Sequence, residues 1–494
     1  MSSASASVLV NAEYILGRVD RRIYGQFVEH LGRCIYGGIW VGETSKLPNT
    51  RGFRNDVLEA VRALRPPIVR WPGGNFASAY HWMDGIGDRH KRPTKFDLAW
   101  GAEDPNQFGT NEFIEWCRIV GAEPYIVVNA GNGTPEEAAA WVEYTNHRGA
   151  HKYAALRREN GYPEPFEVRL WGIGNELYGD WQVGYCADAR DCAKRTVEFA
   201  NEMRKADPNI QLVAVGHIEP DSIEPEWNLE MIKTAGRYID YLSVHTYIGG
   251  EQDYLELLSA PALIERNLNA TYKLVESAAK RYTRGRDIKL AFDEWNVWYP
   301  EARPALLHQD TAVKDGLFTG LVLNALLRLV GKVPIACFAQ TVNVLPLILT
   351  RDDGALHVNP QYLVFRMYVE NTGDYSLGVS TSAPCYRSKS LGEHLPVLDA
   401  SSTISEDGSA LYVNLVNKDP KEPVECAIDL RAFAPTHFEH IYMSGEDIGS
   451  KNDFENPENV RIERGMRTRV DSLPVRVKLP PHSVNVLAFR AVSG

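Results

Sequence analysis

The chain has 494 residues, of which 44% are hydrophobic and 24% charged, an ordinary composition for a globular protein. That length exceeds one typical domain and predicts one large domain accompanied by a smaller one. The net charge of -11, with no run of Lys and Arg that resembles a phosphate-binding groove, argues against a nucleic-acid partner.

Targeting signals and cysteines indicate a cytoplasmic protein. The N-terminus, MSSASASVLVNAEY, has neither the basic leader nor the long apolar core of a secretory signal. The stretch LFTGLVLNALLRLVG is interrupted by Asn324 and Arg328, so it predicts a buried helix rather than a membrane span. The seven cysteines include no CxxC pair, which fits a reducing compartment and excludes the usual zinc and thioredoxin spacings.

Short apolar runs recur about every 40 to 50 residues through most of the chain. In order they are IYGQFVEH, PPIVRWPGGN, EPYIVVNAGN, EVRLWGIGNE, IQLVAVGHIE, YIDYLSVHTY, DIKLAFDEWN and VPIACFAQTVN. Continuous apolar runs are typical of strands covered on both faces, as in parallel sheets. They predict eight buried strands.

Segments with apolar residues at helical spacing lie between these runs. Two of them, NDVLEAVRALR and TPEEAAAWVEYTN, begin with the capping residues Asn55 and Thr134. Eight strands alternating with helices predict an α/β fold, a (β/α)8 TIM barrel over residues 19–370. A doubly wound open sheet is the alternative, but no GxGxxG follows any of the runs.

The pattern changes after residue 370. The runs ALYVNLVN, VECAIDL, VRVKL and SVNVLAF are short, several of them alternate in polarity, and turn-rich stretches separate them. This pattern is typical of an antiparallel β-sandwich, which we predict as a jelly-roll-like domain over residues 371–494. Residues 1–18 precede the first barrel strand and are expected to complete that domain.

Each predicted barrel strand ends in polar residues. In chain order they are Glu29 and His30, Arg70 and Asn75, Asn129, Asn175 and Glu176, His217, His245 and Tyr247, Asp293 and Glu294, and Gln340 and Asn343. The carboxyl ends of barrel strands open on one face, where active sites lie. We therefore expect these residues to line a single crevice.

Glu176 and Glu294 follow the fourth and seventh predicted strands. Two carboxyl groups facing one another across a crevice are what glycoside hydrolysis requires, one as acid and the other as nucleophile or base. The alternative is that each glutamate is a structural residue held in a salt bridge. Because both are accompanied by other polar residues, the pair favours the catalytic interpretation.

Aromatic residues near the strand ends support a sugar site, since flat rings pack against the C–H faces of sugars. They are Trp71, Trp82, Trp100, Trp181, Trp295, Trp298 and Tyr247, of which Trp71 and Trp295 are equally well explained as core residues.

The motifs of other chemistries are missing from the sequence. His217 and His245 show no HxxxH or HxH spacing for a metal, and no GxSxG motif of a serine hydrolase or GxxxxGK motif of a nucleotide site occurs. We expect no metal and no cofactor.

Five motifs, RWPGGNF, WGIGNE, VHTY, FDEWNVWY and AQTVNVL, together with the opening YGQFVEHLGRCIYGGIW, resemble the family 51 glycoside hydrolases, the α-L-arabinofuranosidases. The resemblance extends over essentially the whole chain. It departs from the family at YPEARPALLHQD, which looks short between the last two barrel strands. By match to GNE and DEWN, it implies that Glu176 is the acid/base and Glu294 the nucleophile of a retaining enzyme.

The resemblance also implies roles for other positions. The furanose-binding positions of the family carry over as Glu29, Asn75, Asn175, Tyr247 and Gln340, while Trp100 and Trp298 would border the pocket. Arg70 and His245 resemble the residues that hold the nucleophile ionised and aligned. We further expect Tyr247 to donate a hydrogen bond to Glu294, and Glu176 to have a raised pKa, as a general acid needs.

The sequence thus predicts a retaining, exo-acting, metal-independent α-L-arabinofuranosidase that releases terminal non-reducing arabinofuranosyl groups from oligosaccharides of arabinan and arabinoxylan. No membrane partner is expected, and the family resemblance implies a homohexamer. An endoglucanase or xylosidase on the same scaffold is one alternative, which a panel of aryl glycosides would distinguish. A non-catalytic sugar-binding protein is another, although a binder has no need of two facing glutamates.

Overall fold

The computed structural model describes residues 4–305 and 307–491. Eight parallel strands close into a barrel, since the eighth strand pairs with the first through Cys337 with Gly25 and Ala339 with Phe27. The barrel strands are Gly25–Phe27, Ile68–Trp71, Glu123–Val128, Leu170–Ile173, Gln211–Val215, Tyr241–Gly249, Lys289–Trp298 and Ile335–Ala339. The predicted TIM barrel is confirmed, and the alternative of an open doubly wound sheet is wrong.

Helices cover the outside of the barrel. They are Asn55–Leu64, Thr110–Val120, Pro135–Asn146, Lys152–Glu159, Ala189–Ala206, Pro225–Ala235, Tyr254–Leu257, Ala260–Tyr282, Val313–Arg328 and Pro360–Glu370. The first is amphipathic, with Val57, Val61 and Leu64 buried along one face. This burial of one stripe against the strands is the reason that the helical spacing was visible in the sequence.

One of the two predicted helix caps is confirmed. The Thr134 hydroxyl accepts a hydrogen bond from the backbone N–H of Glu137 at 3.1 Å. The predicted cap at Asn55 is wrong, because a short hairpin leads directly into that helix and leaves Arg54 at the capping position. The Asn55 side chain accepts a hydrogen bond from Thr50 instead.

Short elements decorate the loops. The 3-10 helices are Arg21–Tyr24, Asn75–Ala79, Trp82–Gly85, Arg89–Lys91 and Pro300–Ala305. The two-stranded pairs are Asn49–Thr50 with Phe53–Arg54, Lys95–Phe96 with Glu103–Asp104, Ile348–Thr350 with Leu356–Val358, and Cys385–Arg387 with His394–Pro396. Residue 306, in the loop YPEARPALLHQD that departs from the family pattern, lies outside the described residues.

The second large element is a ten-stranded sheet. Its path runs Ile462–Arg464, Pro435–Met443, Ser483–Ala491, Ala410–Asn417, Leu398–Ile404, Tyr375–Ser382, Ala4–Arg18, Val424–Arg431 and Val475–Leu479, with Thr468–Arg469 beside Pro435–Met443. Every neighbouring pair is antiparallel except Ala4–Arg18 with Val424–Arg431. A predominantly antiparallel C-terminal sheet domain is therefore confirmed.

The first strand, Ala4–Arg18, is an interior strand of this sheet rather than an edge strand. It pairs antiparallel with Tyr375–Ser382 and parallel with Val424–Arg431. The last barrel helix ends at Glu370, just before the sheet resumes. On these limits we propose residues 19–370 as the barrel domain and residues 371–494 with 1–18 as the sheet domain; residues 1–3 and 492–494 lie outside the described part.

The helix Val313–Arg328 lies between the two parts of the molecule. A Cβ atom at Gly320 would lie only 3.2 Å from the Val416 side chain of the sheet, so the absence of a side chain allows a close approach. At the C-terminal end of the helix, Arg328 pairs with Asp399 at 3.1 Å. The prediction of a buried helix is confirmed here, and within the described chain no helix has the length and apolarity needed to cross a membrane.

The barrel interior holds an apolar cluster of its own. Its members are Phe27, Ile68, Ala77, Tyr125, Val127, Leu170, Val213, Tyr241, Ala291, Ile335, Cys337 and Ala339. Such layers make the barrel a packed core rather than a pore. They provide a dry floor for the polar groups at the carboxyl ends of the strands.

Val8→Asp should destabilise the protein far more than Ser7→Asp, because Val8 is buried in the sheet and Ser7 is exposed on the same strand. A buried carboxylate without a partner is costly, so we expect the free energy of unfolding to fall by about 3 kcal/mol for V8D. For S7D we expect a change of less than about 0.5 kcal/mol. Chemical denaturation followed by circular dichroism measures both, and equal effects would contradict the central position of this strand.

Candidate active site

A pocket of about 680 Å³ opens at the carboxyl ends of the barrel strands, a volume typical of small-molecule sites. Nine of the predicted site residues line it: Glu29, Asn75, Trp100, Glu176, His245, Tyr247, Glu294, Trp298 and Gln340. The other two, Arg70 and Asn175, are fully buried and contact the pocket residues from behind. The structure therefore brings all eleven predicted side chains together.

The run GIGNE at the end of the fourth strand needs its second glycine. Gly174 has φ of +78°, and a Cβ atom there would lie 2.9 Å from Leu177 and 3.0 Å from Ala130. Glu176 itself has φ of +43°, a conformation that costs a non-glycine residue of order 1 to 3 kcal/mol. The chain turns sharply at this point and carries the Glu176 carboxylate into the pocket.

The seventh strand contains one extra residue relative to both of its neighbours. Its pairing jumps from Ala291 opposite Ser243 to Glu294 opposite His245, and the register with the eighth strand shifts over the same stretch. Such a bulge redirects side chains that would otherwise alternate between faces. As a result, both Asp293 and Glu294 contact groups of the site.

Glu294 is held by two donors. Arg70 Nη1 lies 2.5 Å from its Oε1, and the Tyr247 hydroxyl donates to its Oε2 at 2.7 Å. The expected hydrogen bond from Tyr247 is therefore confirmed. With both oxygens accepting hydrogen bonds, the orientation of the Glu294 carboxylate is restricted.

Arg70 is the central cation of the site. Besides Glu294, its guanidinium donates to Asn175 Oδ1 at 2.7 Å and lies 3.4 Å from Asp293. The guanidinium is 4.7 Å from the ring centroid of Phe27, in the barrel floor. The carboxylates of Glu294 and Asp293 outweigh burial and raise the pKa of Arg70, so this buried charge is permanent.

Glu176 and Glu294 lie close together. One carboxylate oxygen of each and a ring nitrogen of His245 all lie within 4.8 Å of one another. His245 Nδ1 is 2.9 Å from Glu176 Oε1 but 3.7 Å from Glu294 Oε1. His245, which the resemblance assigns to the nucleophile, thus makes its shorter contact with Glu176.

The expectation of a raised pKa for Glu176 is wrong. Burial acts to raise the pKa, but the hydrogen bond and positive charge of His245 outweigh it and lower the pKa of the Glu176 carboxyl. Conversely, burial acts to lower the pKa of His245, but the charge of Glu294 and the hydrogen bonds to Asp293 and Glu176 raise it to about 10. Both shifts favour the form of the pair in which Glu176 is ionised and His245 is protonated.

Glu29 lies deep in the pocket and accepts three hydrogen bonds. Its donors are Gln340 Nε2 at 2.8 Å, Trp100 Nε1 at 3.1 Å and the backbone N–H of Phe76 at 3.1 Å. Burial and the charge of Glu294 nevertheless raise the pKa of Glu29 to about 8. A Cβ atom at Gly73 would lie 2.8 Å from the Glu29 side chain, which explains the paired glycines of RWPGGN by packing.

Asn75 and Asn175 form a second polar group beside the carboxylates. Asn175 Nδ2 donates to Asn75 Oδ1 at 3.3 Å, and Gln182 Nε2 donates to the same oxygen. Gln182 in turn accepts from the Ser78 hydroxyl at 2.9 Å. These contacts fix the amide orientations, so both asparagines present defined polar atoms.

The aromatic residues divide into core and pocket groups. Trp71, Trp82 and Trp295 are fully buried in the core. Trp100 and Trp298 line the pocket, and the Trp298 ring meets Tyr247 edge to face at 5.3 Å. Trp181 also lines the pocket but is 60% exposed, which puts it at the rim.

Besides Arg70, Asn175 and Asp293, four polar residues at the strand ends do not line the pocket. His30 pairs with Asp104 at 2.8 Å, and Asn343 bonds to Thr350 at 2.8 Å. Asn129 accepts from backbone N–H groups in its own loop, while His217 stacks on Tyr178 at 3.7 Å. These four residues stabilise loops or support a pocket residue instead of lining the pocket. The expectation that all polar residues at the strand ends line a single crevice is therefore only partly confirmed.

Glu176, His245 and Glu294 offer a donor set of the kind that binds metal ions. However, His245 Nδ1 is hydrogen-bonded to Glu176, and its Nε2 lies 3.1 Å from Ser243 Oγ and 3.3 Å from Asp293 Oδ1. A ring that is protonated and engaged at both nitrogens has no lone pair for a metal. This arrangement therefore suits a shared proton better than a cation.

Several site residues had no role in the sequence-based prediction. The sequence marks Asp293 only as one of the polar residues at the strand ends, although it is fully buried and contacts Arg70, His245 and the hydroxyls of Ser243 and Tyr125. In a regular strand it would face away from Glu294, and no sequence signal marks the bulge. Gln182 lies in a loop with no periodic pattern, so its contact with Asn75 was equally invisible.

Comparison with known proteins extends these observations. Residues 60–259 match the family described as "Alpha-L-arabinofuranosidase 1 domain", and residues 293–483 match "Alpha-L-arabinofuranosidase C-terminal domain". Among curated proteins, the "Intracellular exo-alpha-(1->5)-L-arabinofuranosidase 1" of Bacillus subtilis is 34% identical over 511 residues, covering 99% of each chain. The "Alpha-L-arabinofuranosidase C" of Emericella nidulans is 33% identical, covering 98% of this chain and 97% of the other.

Solved structures agree with the sequence comparisons. The α-L-arabinofuranosidase of Thermotoga maritima in its arabinose complex superposes with a TM-score of 0.91 at 40% identity, covering 99% of this chain and 100% of the other. The family 51 α-L-arabinofuranosidase of Thermotoga petrophila gives a TM-score of 0.90 at 40% identity, covering 98% and 100%. The likeness thus includes both the barrel and the sheet.

Proposed function

This chain belongs to the α-L-arabinofuranosidases of glycoside hydrolase family 51, and from that premise we propose that it is a retaining, exo-acting enzyme. It releases terminal non-reducing α-L-arabinofuranosyl groups from oligosaccharides of arabinan and arabinoxylan by double displacement. The observation that carries the proposal is the approach of Glu176 and Glu294 within one pocket. Retaining enzymes have carboxyl groups about 5 to 5.5 Å apart, whereas inverting enzymes need room for a water between them.

In the first step, Glu294 attacks the anomeric carbon and forms a glycosyl ester. Arg70 and Tyr247 hold its two oxygens, so the attacking lone pair is oriented without a change of the surrounding groups. Glu176 gives a proton to the departing oxygen. In the second step, Glu176 takes a proton from water, which attacks the ester and regenerates the Glu294 carboxylate.

The sugar-binding groups are Glu29, Asn75, Asn175, Tyr247 and Gln340. Asn175 lies next to the acid/base and accepts a hydrogen bond from Arg70, and its amide nitrogen donates to Asn75. An amide at this point is suited to a sugar hydroxyl beside the anomeric carbon, a contact that strengthens in an oxocarbenium-like transition state. Glu29 and Gln340 would bind hydroxyls deeper in the pocket.

The depth of the pocket supports exo action. Glu29 and Gln340 are each only 2% exposed at its inner end, whereas Trp181 is exposed at the rim. One terminal sugar would lie beyond the carboxylates, and the rest of the oligosaccharide would extend past Trp100 and Trp298 toward the surface. A polysaccharide bound through its middle would need an open cleft on both sides of the carboxylates.

We propose a cytoplasmic location, because several relatives are named intracellular exo-α-(1→5)-L-arabinofuranosidases. In that location the enzyme would act on oligosaccharides that have entered the cell.

We also propose a homohexamer, on the family resemblance alone. Sedimentation velocity should then show one species with six times the 55.4 kDa mass of the chain, and a monomer at micromolar concentration would contradict this.

A mechanism-based arabinofuranosyl inhibitor should label the protein once per chain at Glu294, because the proposed nucleophile forms an ester with the anomeric carbon. Mass spectrometry of the labelled peptide measures this. Glu294→Ala should lose the label and reduce turnover of arabinofuranosides to background. Label on another carboxylate, or hydrolysis of aryl pyranosides in preference to the arabinofuranoside, would contradict the proposal.

Glu176→Ala should spare substrates that need no acid. We expect kcat/KM for a dinitrophenyl α-L-arabinofuranoside to fall less than tenfold, because its leaving group departs without a proton. For an arabino-oligosaccharide, whose leaving group needs the proton, we expect a loss of about 10²- to 10⁴-fold, the usual contribution of general acid catalysis. Initial rates on both substrates measure this difference, and equal losses of kcat/KM would contradict the role of Glu176 as the acid.

A further inference from the structure

A continuous chain of hydrogen-bonding groups runs from beneath the pocket to Glu176. Asp293 Oδ1 accepts from the Ser243 hydroxyl at 2.6 Å and lies 3.3 Å from His245 Nε2. Ser243 Oγ is itself 3.1 Å from that nitrogen. On the opposite side of the ring, His245 Nδ1 lies 2.9 Å from Glu176 Oε1.

Asp293 cannot exchange these partners for water. It is fully buried, and its second oxygen accepts from the Tyr125 hydroxyl at 2.7 Å and lies 3.4 Å from Arg70 Nε. The bulge in the seventh strand directs Asp293 toward the same cluster as Glu294. Burying the Asp293 carboxylate beneath His245 carries a desolvation penalty, and an apolar residue would fill the same space without it. Packing alone therefore does not explain why a charged residue lies below the histidine that contacts Glu176.

We propose that Asp293 is a positioning residue which, through His245, keeps one proton in the Glu176–His245 pair for delivery to the departing oxygen. This inference rests on the proposed function and deepens it. The pair exists in two forms, ionised Glu176 with protonated His245 and neutral Glu176 with neutral His245. The bound substrate would favour the second form, because it places the glycosidic oxygen beside Glu176 and separates the pocket from water.

The proton that the Glu176–His245 pair gives up in the first step returns to it in the second. In the first step, the bond from the anomeric carbon to the leaving oxygen breaks and a bond to Glu294 forms. The leaving oxygen takes the proton of the pair, which leaves Glu176 ionised and His245 neutral. In the second step, water attacks the anomeric carbon, its proton returns to the pair, and Glu294 departs as a carboxylate.

Charges around His245 support the protonated ring at rest. The groups facing it are Glu176, Glu294 at 3.7 Å, Asp293, and the guanidinium of Arg70, which is bound to two of these carboxylates. Because three carboxylates face the ring and only one guanidinium offsets their charge, a positive charge on the His245 ring is favoured. The raised pKa of His245, about 10, and the pKa of Asp293, lowered to about 2 chiefly by Arg70 and His245 against its burial, agree with this.

The test is the pH dependence of kcat/KM for Asp293→Asn on two arabinofuranosides. Removing the charge beneath His245 makes its protonated form less stable, so the pair should lose its proton at lower pH. We expect the alkaline limb for an arabino-oligosaccharide to move down by at least one pH unit. The alkaline limb for the dinitrophenyl arabinofuranoside should not move, because that first step needs no proton.

Asp399→Asn is the matched control, since it also removes a carboxylate paired with an arginine, Arg328 at 3.1 Å, but in the sheet domain. We expect its pH profiles to coincide with those of the wild type. A uniform loss on both substrates in D293N, with the alkaline limb unchanged, would overturn the proposal and leave Asp293 a structural residue. Inactivity of the wild type on both arabinofuranosides would instead contradict the proposed function.

A second measurement decides the question without catalysis or a folded D293N variant. Nitrogen-15 spectra of histidine-labelled wild type, with His245 assigned by difference from H245Q, report the protonation of the ring. We expect both ring nitrogens of His245 to carry protons at pH 8. A neutral ring at that pH would overturn the proposal.

Discussion

The site depends on one buried cation. Arg70 lies beneath the pocket, in contact with the Phe27 ring of the barrel floor, and its guanidinium meets Glu294, Asp293 and Asn175. Several carboxylates in a space of low polarity would repel one another and take up protons. Because a guanidinium stays charged under all ordinary conditions and donates in several directions, it offsets the repulsion between Glu294 and Asp293, which lie side by side.

The carboxyl groups around Arg70 differ in character because their partners differ. Glu294 and Asp293 contact the arginine directly, whereas Glu176 contacts His245 and Glu29 accepts from neutral donors. Burial and the charge of Glu294 raise the pKa of Glu29 to about 8, and the cations beside it lower that of Asp293 to about 2. Opposed environments of this kind hold different carboxyl groups of one site in different protonation states at the same pH.

The rest of the fold positions these groups. Packed layers of apolar side chains fill the barrel below the site, and strand closure brings residues distant in sequence to one end. The helix Val313–Arg328 follows the strand of Glu294 and is held against the sheet at Gly320 and at Arg328 with Asp399. The sheet domain thus contacts the barrel domain through this helix, and none of the sheet residues that the structure describes lines the pocket.

The sequence by itself determined the eight-stranded barrel, the C-terminal sheet and the identity of the residues around the pocket. Burial on both faces of each strand leaves continuous apolar runs, and motifs such as WGIGNE and FDEWNVWY are local and unbroken. Only the tertiary structure decided that His245 lies nearer to Glu176 than to Glu294, and that Asp293 belongs to the site. Those facts depend on a bulge in the seventh strand and on distances across the closed barrel, and neither leaves a pattern in the order of residues.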